Sequence, residues 1–198
     1  YDLWEEHFLT TTYTTAVVYQ ALLVAADFAE IFEYPDDAVR WRDVAAEILE
    51  SSKIFFDPER KTFRKGFLLQ EDGSLAFDNT LDMANLYGPM MFAQSMGTEA
   101  IKQTASAVEN ILLDKTPSGG LPRYEHDNYF LVNHEYLGNP WHVTTLWLAQ
   151  YYTRTGQLDL AKKYVDWTVL HALPSGMLSE QVNPITGETV SVTPLVWS

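Results

Sequence analysis

Three stretches of this chain bring carboxylates, amides and aromatic rings together outside any regular hydrophobic pattern. The first is Tyr1-Asp2-Leu3-Trp4-Glu5-Glu6. An aromatic wall beside a carboxyl excludes water and raises its pKa, which suits a general acid, and the same flat ring stacks on a sugar. Acids here also suit the positive end of the helix that follows, so a chemical and a helix-capping reading stand side by side. The second stretch, Leu178-Ser179-Glu180-Gln181, sets one carboxylate in a loop of Gly, Pro and Ser where no helix or strand pattern requires it. Glu180 is therefore a candidate general base, against the plainer reading of a solvated loop glutamate. The third is Arg123-Tyr124-Glu125-His126-Asp127. Its guanidinium fork matches sugar hydroxyls, and Asp127 either holds the arginine or binds substrate itself; the alternative is a surface ion pair. Trp141, beside Asn139-Pro140 at a helix mouth, is a candidate to stack on sugar. Trp147, Tyr151 and Tyr152 fall at the spacing of a buried stripe and are assigned to the core.

Other chemistries are poorly served. His126, His134 and His142 lack the spacing of a metal motif, so no metal site is expected. Neither a glycine-rich phosphate loop nor a nucleophile-elbow serine is present, and no cofactor is expected. The balance of 13 basic to 27 acidic residues gives a formal charge of −14. Such a chain repels phosphate backbones and anionic lipid, which argues against nucleic-acid and membrane partners. There is no cysteine, hence no disulfide framework. No uninterrupted apolar run of membrane-spanning length and no signal peptide is visible, and the compartment is left open.

The elements that must position these residues read as helices. Val17, Val18, Ala21, Leu22, Ala25, Phe28, Ala29 and Phe32 recur at three- and four-residue spacing, which predicts a helix from Tyr13 to Phe32. Asp36 is the expected N-cap of a second helix, from about Asp37 to Ser52. Between Phe56 and Asp78 short alternating stretches and the turn signals Asp57-Pro58 and Asp72-Gly73 predict a small hairpin excursion, read as a loop insertion. Helical spacing returns at Thr80–Ser95 and at Thr98–Leu113, the latter capped by Thr98. After a loop from Pro117 to Gly138, a helix opens at Pro140 and runs to Thr155, where Gly156 closes it; Leu158–Leu170 completes the third pair. Pro174–Val192 is expected to be loop, and Thr193-Pro194 to open a further helix. Three helical hairpins joined by alternately short and long loops suggest an all-α toroid of paired helices, in which the three loaded segments, each preceding a helix of a pair, meet at one rim.

Taken in order, Tyr1-Asp2-Leu3-Trp4-Glu5-Glu6, Arg123-Tyr124, Gly138-Asn139-Pro140-Trp141 and Ser179-Glu180-Gln181 resemble the signature segments of family-fifteen glycoside hydrolases, the glucoamylases. Thr12-Tyr13-Thr14, Leu81-Asp82 and Pro194-Leu195-Val196-Trp197-Ser198 add to the likeness. The resemblance implies an (α/α)6 barrel of which residues 1–198 form about half, as part of one catalytic domain cut at both ends. It implies Glu5 as general acid, Glu180 as general base, and inversion to β-glucose from α-linked glucans. It implies Arg123 with Tyr124 and Asp127 at the terminal glucose, Asp2 and Glu6 supporting the acid or contacting substrate, and Trp4 and Trp141 lining sugar subsites. An inverting pair stands roughly 6.5–9.5 Å apart, which leaves room for water. The arginine loop departs from the Arg-Tyr-Pro-Glu-Asp of fungal members and is nearer the prokaryotic branch, where glucodextranases and trehalases also belong. A non-catalytic sugar-binding or regulatory domain and a helical-repeat scaffold are the alternatives from other classes. Cut from its neighbours, such an arc is expected to self-associate through exposed barrel edges.

Overall fold

Alanines at 16, 26 and 29 are buried on the first long helix, α1 (Thr12–Ile31). The computed structural model describes residues 1–197. The chain divides into two compact units, Tyr1–Ser106 and Ala107–Ser198. In the first, α1 packs on α2 (Pro35–Ser51), with Ala26 and Ala29 against Ala38 and Trp41 closing over them. Small side chains let the backbones approach. The N-terminus of α1 is capped by Thr11, whose hydroxyl accepts the Thr14 N–H at 3.1 Å. Its C-terminus closes as a Schellman motif: Glu33 takes φ +64°, its N–H reaches the Glu30 carbonyl, and the Tyr34 N–H reaches the Ala29 carbonyl at 2.8 Å. The second helix opens on Pro35 at its first position, with Asp36 and Asp37 in the first turn, so Asp36 complements the dipole and is not the expected cap.

The excursion is more than an insertion. After a 3₁₀ turn at Ser52–Phe55, and with β1 (Thr10–Thr11) named first in chain order, β2 (Phe56–Asp57) pairs with β3 (Thr62–Phe63), and β4 (Gly66–Leu69) with β5 (Leu75–Asp78). β1 joins β4 in antiparallel register, Thr10 opposite Phe67 and Thr11 opposite Gly66. Glycine is required at 66 because a Cβ there would lie 2.4 Å from the Thr10 carbonyl oxygen. The sequence between the first two helices and the third is thereby stitched to the strand that leads into α1.

Helix α3 spans Met83–Phe92, shorter than the expected Thr80–Ser95, because Asp82 terminates the extended chain as N-cap and accepts the Ala84 N–H at 2.7 Å. It packs chiefly on α1, where Gly88 leaves room for Tyr13: a Cβ would stand 2.9 Å from the Tyr13 Cα. Helix α4 (Thr98–Ile111) follows and runs from the first unit into the second. In the second unit α5 (His142–Arg154) packs on α6 (Leu158–Leu170). Tyr152 stacks on Tyr164 at 5.9 Å and donates to Glu109 at 2.8 Å. Trp147, Tyr151 and Tyr152 are buried, as the stripe requires. The loop expected at Pro174–Val192 carries a short hairpin of β6 (Gln181–Val182) and β7 (Thr189–Val190). The helix expected at Thr193-Pro194 is a run of bends and a turn through Trp197, and Ser198 lies outside the described residues.

Candidate active site

Glu5 stands at the tip of a closed backbone loop. The Asp2 N–H reaches the His7 carbonyl at 2.7 Å, the Glu5 N–H reaches the Asp2 carbonyl at 3.1 Å, and Glu5 itself adopts φ +62°. A left-handed glutamate is held only where its surroundings over-determine it. Here both flanks are tied down. Asp2 Oδ1 accepts the N–H groups of Glu6 and His7 at 2.9 and 3.2 Å. Its Oδ2 lies 2.9 Å from the Lys65 ammonium, and Lys65 Nζ is also 3.4 Å from Asp82 Oδ2. On the other flank the Trp4 indole donates to Asp82 at 2.9 Å. Asp2, Trp4, Lys65 and Asp82 are all buried, whereas Glu5 and Glu6 are exposed.

The electrostatics follow from that burial. Burial pushes the Asp82 carboxyl up to about 6, against the pull of Lys65, the Ala84 N–H and the Trp4 indole. Burial also opposes ionisation of Asp2, but Lys65 and the Glu6 and His7 amides outweigh it and hold that carboxyl below its usual range. Desolvation works against the Lys65 charge, yet Asp82 and Asp2 together hold the ammonium above its usual range.

The second unit carries the other candidates. Arg123 donates to both oxygens of Asp127, from Nε at 2.8 Å and from its terminal nitrogen at 2.7 Å, and both residues are buried. This is no surface ion pair; of the two roles open to Asp127, it holds the arginine. The guanidinium lies 4.6 Å from the centre of the Trp141 ring and 5.1 Å from those of Tyr124 and Tyr129, within cation–π range of all three. Trp141 is 2 % exposed and Trp4 8 %, so each ring is mostly packing and offers a ligand little more than an edge.

Glu180 precedes β6 and is 8 % exposed, unlike a solvated loop residue. Its Oε2 accepts a very short hydrogen bond from the Ser191 hydroxyl and a longer one, at 3.4 Å, from the Gln181 amide. Gln181 in turn accepts from Asn139 at 2.6 Å, and Val182 donates to the Pro140 carbonyl, which binds the Glu180 loop to the segment leading into α5. Ser191 also holds a left-handed backbone, φ +65°, with its hydroxyl directed at the Glu180 carboxylate. At the start of α5, His142 is fully buried, with neither ring nitrogen hydrogen-bonded among the described residues.

The structure thus gathers Asp2, Trp4, Glu5 and Glu6 into one cluster, and Arg123, Tyr124, Asp127 and Trp141 into another, with Glu180 and its partners alongside Asn139. Sequence reasoning passed over Lys65, Ser191 and the structural part of Asp82. Lys65 is one basic residue in a stretch read as an insertion, and Ser191 one hydroxyl in a polar loop, so neither has a local signal. The burial of Asp2 and Asp82, which calls for a cation between them, comes from tertiary contacts and has no sign in the local sequence.

Against known proteins, the profile of glycosyl hydrolases family 15 matches residues 1–161. A protein of Methanocaldococcus jannaschii described as an uncharacterized glycosyl hydrolase is 29 % identical over all of this chain, which covers 32 % of that protein. A bacterial glucoamylase complexed with acarbose superimposes with a TM-score of 0.82 at 22 % identity, over 98 % of this chain and 32 % of its own. The glucoamylase of Saccharomycopsis fibuligera gives 0.74 at 18 % identity, over 100 % of this chain and 55 % of its own. The chain therefore spans about a third to a half of the proteins it matches, and its helices follow the (α/α)6 fold of the glucoamylases in part. With the profile covering both the Glu5 loop and the Arg123 cluster, the chain belongs to family 15 of the glycosyl hydrolases.

Proposed function

We propose that the polypeptide containing this chain is an inverting, exo-acting glycoside hydrolase that releases β-glucose from the non-reducing end of α-linked glucans. Glu5 is the general acid and Glu180 the general base. The observation that carries this reading is the Glu5 loop: an exposed carboxyl held in a left-handed conformation, with buried Asp2 and Trp4 before it and the Glu6 and His7 amides after it bonded to Asp2. A merely solvated or helix-capping acid needs no such frame. Glu180, desolvated and oriented by Ser191 and Gln181, has the fixed geometry a base requires.

In the reaction, Glu5 gives its proton to the glycosidic oxygen as the bond to the anomeric carbon breaks. Glu180 takes a proton from water as its oxygen adds to the opposite face of the oxocarbenium-like centre. One bond breaks and one forms, the proton count closes, and the configuration inverts. Arg123, braced by Asp127 and beside Tyr124, binds the terminal glucose. Asp2 supports the acid's loop, Glu6 contacts substrate hydroxyls, and Trp4, together with Trp141 packed against Arg123, lines the sugar subsites. The acarbose complex of the bacterial glucoamylase supports a carbohydrate as the ligand class.

The test is the anomeric form of the first glucose released from maltooligosaccharides by the complete polypeptide, followed by proton NMR before mutarotation. β-Glucose is expected; α-glucose would make the mechanism retaining, and no release from any α-glucan would remove the substrate assignment.

A further inference from the structure

Glu5 owes its place to its neighbours, and those neighbours meet at one atom. Asp2 ties the Glu6 and His7 amides on one flank and contacts Lys65 Nζ at 2.9 Å. Trp4, on the other flank, hangs from Asp82, which Lys65 Nζ reaches at 3.4 Å. We propose that Lys65 is a positioning residue for the general acid: its ammonium clasps the two ends of the Glu5 loop and so fixes where the Glu5 carboxyl is delivered. This rests on the reading of Glu5 as the acid.

The clasp is itself rigidly mounted. The Lys65 N–H donates to the Asp78 carbonyl at 2.9 Å and its carbonyl accepts the Thr12 N–H at 3.1 Å, fixing it to β5 and to the start of α1. The next residue is Gly66, where β4 touches β1 too closely for any side chain. The strands between α2 and α3 thus carry a cation under the acid's loop. Its chemistry argues for position more than for stability. Burying three charged groups is expensive, and a well-packed apolar trio of the same volume is often as stable or more so. Without the ammonium, two buried carboxylates face one point and repel, Asp2 releases the amides beside Glu5, and the loop relaxes. An ångström-scale shift in a proton donor can lower a rate by about a hundredfold.

The experiment compares two substrates in the complete polypeptide. A maltooligosaccharide leaves as an alcohol and needs the proton; a 2,4-dinitrophenyl α-glucoside leaves as a stable anion and does not. Lys65→Met is expected to lower kcat on the maltooligosaccharide by about thirtyfold or more, with KM and the dinitrophenyl rate each within about threefold. Glu5→Gln, measured in parallel, is expected to show the same selectivity more strongly. Equal loss on both substrates in Lys65→Met, with selective loss in Glu5→Gln, would overturn the positioning role and leave the acid assignment standing. A Glu5→Gln variant without selectivity would sink the acid assignment itself, and the proposal with it. If Lys65→Met is insoluble, Asp82→Asn decides the matter, because the oxygen it keeps at Oδ1 can still accept from Ala84 at 2.7 Å and from Trp4 at 3.1 Å, while the oxygen that faces Lys65 is lost. A selective loss of about tenfold is then expected, and an unselective one overturns the proposal.

Discussion

At the scale of single residues, His142 and Asp82 carry opposite consequences of burial. Burial pushes the His142 imidazole down to about 4, with nearby His171 adding to it. Between that value and the ordinary ~6.5, the unfolded chain binds more protons than the folded one. Stability contributed by neutral His142 is therefore complete above about pH 6.5 and lost as the pH falls through 4, a loss of about 3 kcal/mol at most. Asp82, raised to about 6, acts in the reverse sense: its contribution is complete below its unfolded value and lost as the pH rises through 6. The two partly cancel, so the informative quantity is a difference. The fall in unfolding free energy from pH 7 to pH 4 should be smaller in His142→Met than in the parent by about 2–3 kcal/mol. Denaturant titrations at the two pH values check it, and equal falls would mean that His142 finds a proton acceptor when charged. Residue types were legible at this scale; partners were not. Glu5 and Arg123 stand out as charges set among aromatics, and Glu180 as a carboxylate in a loop where no helix or strand pattern requires it. Lys65 and Ser191 are ordinary residues whose importance comes from the tertiary contact alone.

Among the elements, legibility tracked periodicity. The bounds of α1 and α6 followed from apolar spacing sustained over three or more turns. Apolar spacing predicts α3 too long because it does not register the Asp82 cap at one end or the change to a 3₁₀ segment, Gln94–Met96, beyond Ala93 at the other. The β6–β7 hairpin was missed because two-residue strands show no alternation to read. The termination of α1 gives a quantitative prediction. Glu33 occupies the left-handed C′ position of a Schellman motif, where glycine fits without steric penalty, and its side chain is exposed. Glu33→Gly should stabilise the protein by about 0.5–1 kcal/mol, since relief of the left-handed strain exceeds the added freedom of the unfolded chain. Chemical denaturation midpoints measure this, and a destabilised variant would show that Glu33 makes a contact worth more than the strain.

For the molecule as a whole, the helix that opens the first unit is left with a bare side. Val18, Val24, Phe28, Ile31 and Phe32 are exposed along α1, and a groove of ≈ 650 Å³ runs beside it, lined among others by Thr14, Val18, Val44 and Ile48. This helix is 20 residues long and by length and composition matches a membrane span, yet few of its residues are buried. Its pairing with α2 and α3 uses two sides; the third has the character of a surface made for another helix. We propose that residues 1–198 alone self-associate through this face. Light scattering should show dimers or larger species, and replacing Val18 and Phe28 by Glu should shift them toward monomer; a monomeric parent would contradict this. The central claim is that two carboxyl groups, contributed by Glu5 and Glu180, perform the chemistry. It is tested most directly by kcat on maltooligosaccharides for Glu5→Gln and Glu180→Gln in the complete, folded polypeptide. Each is predicted to fall by at least about a hundredfold, and near-parental turnover in either variant would remove that residue from the mechanism.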